Sequence, residues 1–102
     1  MYRAMPDGRP ARKRPVQLCR AGRAKCPGCH RHLAGVQVEA GSTVARCTCG
    51  QHAYVADVGQ GIWVVLALEP PEAQRYAADR RMVWLVLDEL GALDRVMAAK
   101  AD

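Results

Sequence analysis

"KCPGCHRHLAGVQVEAGSTVARCTCGQH" runs from Lys25 to His52 and holds four of the chain's five cysteines. Two stand as Cys26-Pro27-Gly28-Cys29 and two as Cys47-Thr48-Cys49, with seventeen residues between the pairs. Two short turns, each offering two sulfurs and joined by a segment long enough to fold back, suit one tetrahedral ion. Pro27-Gly28 tightens the first turn. Gly50 follows the second pair, where a positive-φ residue lets backbone N–H groups face the sulfurs. Between the pairs, Val36–Ala40 alternates with period two and Gly41-Ser42 forms a turn. Thr43–Arg46 returns as a partner strand, so the pairs are expected to flank a hairpin.

The stretch resembles a zinc ribbon. The matching residues are Cys26-Pro27-Gly28-Cys29, Arg31, Leu33-Ala34-Gly35, a hairpin, and Cys47-x-Cys49-Gly50. The resemblance implies one structural Zn²⁺ held by Cys26, Cys29, Cys47 and Cys49. The second pair is one residue shorter than the usual ribbon pattern. Two ways around this stay open: both cysteines reach the ion from one side of an extended strand, or one yields to His52. A second resemblance is to the small Com-like zinc-finger translational regulators of Mu-like phages, which also join a cysteine unit to basic residues. Their second knuckle has two intervening residues, and their C-terminal half differs. The resemblance points toward RNA.

Other chemistry for the cysteines fits less well. A redox Cys-x-x-Cys wants a helix N-terminus after its first thiol, and here a turn and a strand follow. A zinc deaminase needs a His-x-Glu ahead of its Pro-Cys-x-x-Cys, which this chain lacks. Four thiolates leave no open position for catalysis. Cys19 reads as a spare thiol or a small apolar residue, with ligation a remote third option.

Outward from this unit, the 102 residues, half of them hydrophobic and none phenylalanine, allow one small domain with a lean core. The odd cysteine count and the lack of an apolar leader after Met1 point to a reducing, cytoplasmic setting. Ile62–Leu68 and Met82–Leu87 are too short to span a bilayer. The net charge is +5, and residues 1–25 carry eight basic residues against Asp7 alone. That local excess of seven leaves −2 for the rest. With Pro6, Pro10 and Pro15 interrupting helix, residues 1–25 read as a basic, largely disordered arm, ordered at most near Val16–Cys19.

Residues 26–102 read as one domain. The ribbon covers 26–50. A second hairpin covers 51–69, with strands His52–Val58 and Ile62–Leu68 around Gly59-Gln60-Gly61. A helical segment covers 71–100. Pro71 and Glu72 suit a helix start. Residues 72–90 form one helix with Tyr76, Val83, Leu87 and Leu90 on a stripe. Gly91 ends or kinks it, and Ala92–Lys100 form a second piece. The expected fold is α+β: a zinc ribbon with antiparallel hairpins and a C-terminal helix.

The function these readings favour is non-catalytic nucleic-acid binding, RNA or DNA, in a small regulator of transcription or translation. Arginine and lysine clusters bind phosphates by releasing counterions. The expected contacts are Arg9, Arg12, Lys13, Arg14, Arg20, Arg23, Lys25, Arg31 and Arg46. His30 and His32 either join them or belong to a solvated turn. Tyr54 and Trp63 offer stacking or core packing. The rival is a protein-docking adaptor or inhibitor. Val83–Leu87 are consecutive and apolar, so helix 72–90 can meet a partner or a second copy, with a sheet edge as a further docking element. An enzyme ranks third, since no nucleophile–base pair or phosphate loop stands out, and no small-molecule substrate is expected.

Overall fold

In the computed structural model, residues 14–38, 41–78 and 82–101 are described. Four strands, β1 (Val16–Arg20), β2 (Ser42–Arg46), β3 (His52–Gly59) and β4 (Ile62–Leu68), precede three helices, α1 (Pro70–Ala78), α2 (Val83–Glu89) and α3 (Leu93–Ala101). The sheet is antiparallel throughout, in the order β1-β4-β3-β2. The β3–β4 hairpin turns at Gly59-Gln60-Gly61, as the sequence predicts. Among the described residues, no helix is long and apolar enough to cross a membrane.

The centre of the sheet is covered on both faces, which is why β4 is an unbroken apolar run rather than an alternating one. Tyr54, Ala56, Val58, Val64, Leu66 and Leu68 pack against Ala73, Tyr76, Val86, Leu87, Leu90 and Val96 of the helices. Ala53, Val55 and Val65 point the other way, onto Ala24, Cys26, Leu33 and Cys47. Helices, sheet and cysteine unit are thus three layers. The helical layer holds the large side chains. The cysteine layer has Leu33 as its bulkiest buried side chain, worth only about 1.5–3 kcal/mol, so packing alone orders it poorly.

Three expectations are corrected. Residues 1–25 are not an arm throughout, because Val16–Arg20 pairs with β4 from Leu66 to Ile62. Continuing that register sets Pro15 opposite Ala67. Proline has no N–H to give the Ala67 carbonyl. Arg14 Nη1 donates to that oxygen instead, and the same guanidinium grips Glu72 at 2.9 and 2.7 Å.

The second correction concerns the hairpin within the ribbon. Val36–Val38 form no strand, and Glu39-Ala40 lie outside the described residues. The partner of β2 is β3, with Val44 opposite Tyr54 and Arg46 opposite His52. The cysteine pairs therefore do not flank a hairpin. The first lies between β1 and β2, and the second is the β2–β3 turn.

The third concerns helix 72–90, which is two helices. Helix α1 ends at Ala78, and Met82 is extended before α2 begins. The re-aimed chain lays Val86 and Leu87 on the core. Gly91 stops α2 as expected, at φ 74°. The Ala92 N–H reaches Leu87 O at 2.8 Å and the Gly91 N–H reaches Asp88 O at 3.0 Å. This is a Schellman ending, with buried Leu87 and Ala92 as its apolar contact.

Candidate metal centre

The first knuckle is a miniature hairpin. The Leu33 N–H donates to Ala24 O at 2.9 Å and the Cys26 N–H to Arg31 O at 2.8 Å, with Lys25 bridged to His32. The His30 N–H closes a turn onto Cys26 O at 2.9 Å. His30 sits at φ 66°, a left-handed position that glycine fills at least cost. Inside the turn, the N–H groups of Gly28 and Cys29 point at Cys26 Sγ, at 3.3 and 3.5 Å. Such donors stabilise a thiolate.

The second knuckle is tighter by one residue. The Gly50 N–H closes onto Cys47 O at 2.9 Å and the Cys47 N–H onto Gln51 O at 2.9 Å. A turn closing from i to i+3, rather than i to i+4, accounts for the missing residue. Cys47 and Cys49 converge from this turn, not from an extended strand. Gly50 at φ 97° makes it possible.

The four sulfurs lie within 4.8 Å of one another. The short separations cross between the knuckles: Cys26 Sγ to Cys49 Sγ is 3.6 Å, and Cys29 Sγ to Cys47 Sγ is 3.5 Å. These are far longer than the ~2.05 Å of a disulfide, and all five cysteines are free. Thiolates about 2.3 Å from one ion in tetrahedral array stand about 3.8 Å apart. The cluster fits one metal ion. His52 is not part of it. That residue lies on β3 opposite Leu68 and Arg46.

Electrostatics point the same way. The Cys47 thiol is pulled down to about 6, first by the Cys49 N–H, against burial, and then by the neighbouring thiols. Cys49 goes up to about 11: the Gln51 N–H lowers it, but Cys26, burial, Cys47 and Cys29 together raise it further. Cys47 surrenders its proton readily, and Cys49 holds its own.

Side chains that the sequence reading overlooked hold this unit on the sheet. Gln17 Oε1 accepts from the Lys25 N–H at 3.1 Å, and its Nε2 donates to Lys25 O at 3.5 Å, tying β1 to the first knuckle. Gln51 Nε2 donates to His52 O and Leu68 O at 2.9 and 3.1 Å. Gly28 abuts the same Gln51, where an added Cβ would lie 3.2 Å from Gln51 Cβ. No pattern in the sequence marks these glutamines. Arg14 had a signal, because a proline entering a strand leaves a carbonyl to be satisfied.

The basic residues divide. Of the expected nucleic-acid set, Arg14 is engaged with Ala67 and Glu72. Arg20, Arg23 and Lys25 are exposed and, with His32, line an open hollow of about 440 Å³. The His32 ring is set by its Nε2, 3.1 Å from Gly22 O. Arg31 and Arg46 line a different groove of about 390 Å³ beside β2. Arg9, Arg12 and Lys13 lie outside the described residues. Tyr54 is buried in the core and offers no stacking face, while Trp63 is half-buried against the cysteine layer. Cys19 lies opposite Trp63 on β1, apart from the sulfur cluster. Its thiol donates to Trp63 O at 3.7 Å, and burial raises its pKa.

No family model, no curated protein and no solved structure matches the chain. Neither the zinc ribbon nor the Com-like regulators gains a match from them; what stands is an α+β fold with four cysteines placed to bind one metal ion.

Proposed function

We propose that the chain is a non-catalytic, zinc-stapled module that binds nucleic acid, acting as a small regulator of transcription or translation. An all-thiolate donor set favours a soft ion, and four such donors close the coordination shell of zinc. The resident ion would be Zn²⁺ on Cys26, Cys29, Cys47 and Cys49. Its part is structural, since bound zinc contributes on the order of 10 kcal/mol to folding a small module.

The observation that carries the nucleic-acid reading is the hollow shared by Arg20, Arg23, Lys25 and His32, with no described acidic residue in its lining. Phosphate oxygens suit such a lining, and the basic residues of segment 1–13 extend the same charge along the chain. The test is fluorescence anisotropy with a single-stranded RNA and a DNA duplex across a salt series. Affinity should fall steeply with salt. The double variant Arg20→Glu/Arg23→Glu and a deletion of residues 1–13 should each flatten that slope. The deletion stops at 13 because Arg14 belongs to the fold. Equal affinity and slope for all three proteins would refute the reading.

One observation favours a second reading, protein docking through the helical layer. Met82, Trp84, Leu85 and Met97 remain exposed at the N-cap of α2 and on α2 and α3.

A further inference from the structure

Strand β2 is one of the two outer strands of the sheet, and among the described residues no strand pairs with its second edge. Which groups face outward follows from the turn. The Cys47 N–H donates to Gln51 O, and that pair continues the register joining Ala45 to Ala53 and Thr43 to Val55. Antiparallel ladders alternate bonded and non-bonded pairs. The backbone groups of Thr43 and Ala45 therefore face β3, and those of Val44 and Arg46 face away from the sheet. Among the described residues, no backbone hydrogen bond from outside the sheet engages either one.

Beside this edge runs the groove of about 390 Å³, whose lining includes Ala34, Val36, Val44 and Ala45. The charged residues lining it are Arg31 and Arg46, and no described acidic residue does so. An unpaired strand edge, small apolar side chains and two guanidinium groups together specify an occupant. We infer that an acidic peptide in extended conformation adds to β2 as a fifth strand. Its backbone takes the free groups of Val44 and Arg46, its small apolar side chains enter the groove, and its carboxylates meet Arg31 and Arg46. A second copy of the chain fits worse, because pairing β2 with itself brings two Arg31–Arg46 sets together. The inference does not depend on nucleic-acid binding.

The test uses the full zinc-loaded chain and an acetylated, amidated hexapeptide alternating glutamate and valine. Amide hydrogen exchange is followed residue by residue. In the free protein, Val44 and Arg46 should exchange fast while Thr43 and Ala45 are protected. Saturating peptide should slow exchange at Val44 and Arg46 by about tenfold or more. The same peptide with lysine for glutamate should bind at least about tenfold more weakly. Val44→Pro removes one outward N–H, a change that an edge strand tolerates. It should lose the peptide while keeping its metal and a dispersed spectrum. Binding that leaves both amides unprotected, equal binding of the lysine peptide, or no saturation at millimolar peptide would overturn the proposal.

Discussion

Arg14 and Glu72 form a two-pronged ion pair, 2.9 and 2.7 Å between their paired atoms, across fifty-eight residues of chain. It joins the entry to edge strand β1 with the first turn of α1. The arginine replaces the N–H that Pro15 lacks. The glutamate also reaches back to the Glu69 N–H at 2.8 Å, as the third helical residue of a capping box does. One pair thus seals a strand start and a helix start.

Loss of that pair should be measurable. Arg14→Ala should cost about 1–2 kcal/mol by denaturant unfolding, since a charged hydrogen bond and a carbonyl partner go together. Arg14, foremost through its hydrogen bonds, holds the Glu72 carboxyl below the ordinary glutamate range. A depressed carboxylate pKa stabilises the fold above the unfolded value of about 4.3, and that contribution fades as pH falls through the folded value. Carbon-detected NMR titration should show Glu72 titrating low in the parent and moving upward in Arg14→Ala. An unchanged Glu72 titration would mean the pair does not persist in solution.

The two knuckle turns predict opposite responses to exchanging glycine and side chain. Gly50→Ala places a Cβ at φ 97° and should destabilise by about 1–2 kcal/mol. His30→Gly removes a side chain from φ 66° and should raise the melting temperature, since strain relief outweighs the added chain entropy. Thermal unfolding of both variants with excess zinc checks the pair. A lower melting temperature for His30→Gly would show that the imidazole makes a contact worth more than the strain.

Neighbouring leucines on α2 should behave unlike one another. Leu87 is fully buried beneath the sheet, and Leu85 is 53% exposed. Leu87→Ala should cost about 2–5 kcal/mol, and Leu85→Ala less than about 0.5 kcal/mol. Urea unfolding of the two variants decides it. Leu85 and Trp84, not Leu87, are therefore the positions at which to probe docking through the helices.

Much of this was legible from pattern. The unbroken run Ile62–Leu68 marked a central strand, Gly59-Gln60-Gly61 its hairpin, and Gly91 the end of a helix, because each rests on local backbone chemistry. The cysteine spacing marked the site. Strand pairing was harder. Val36–Ala40 has the right alternation, but alternation does not name a partner, and β3 bonds to β2 on one edge and β4 on the other. Helix 72–90 kept a plausible stripe across its break, since period alone does not register a change of direction. Arg14 looked like its basic neighbours, and only tertiary contact with Ala67 and Glu72 separates it from them.

The most direct examination of the metal centre is X-ray absorption at the zinc edge of the purified, reduced protein. Cys26, Cys29, Cys47 and Cys49 predict a first shell of four sulfurs at about 2.3 Å and no nitrogen. A shell containing imidazole nitrogen, or a folded protein without bound zinc, would contradict it.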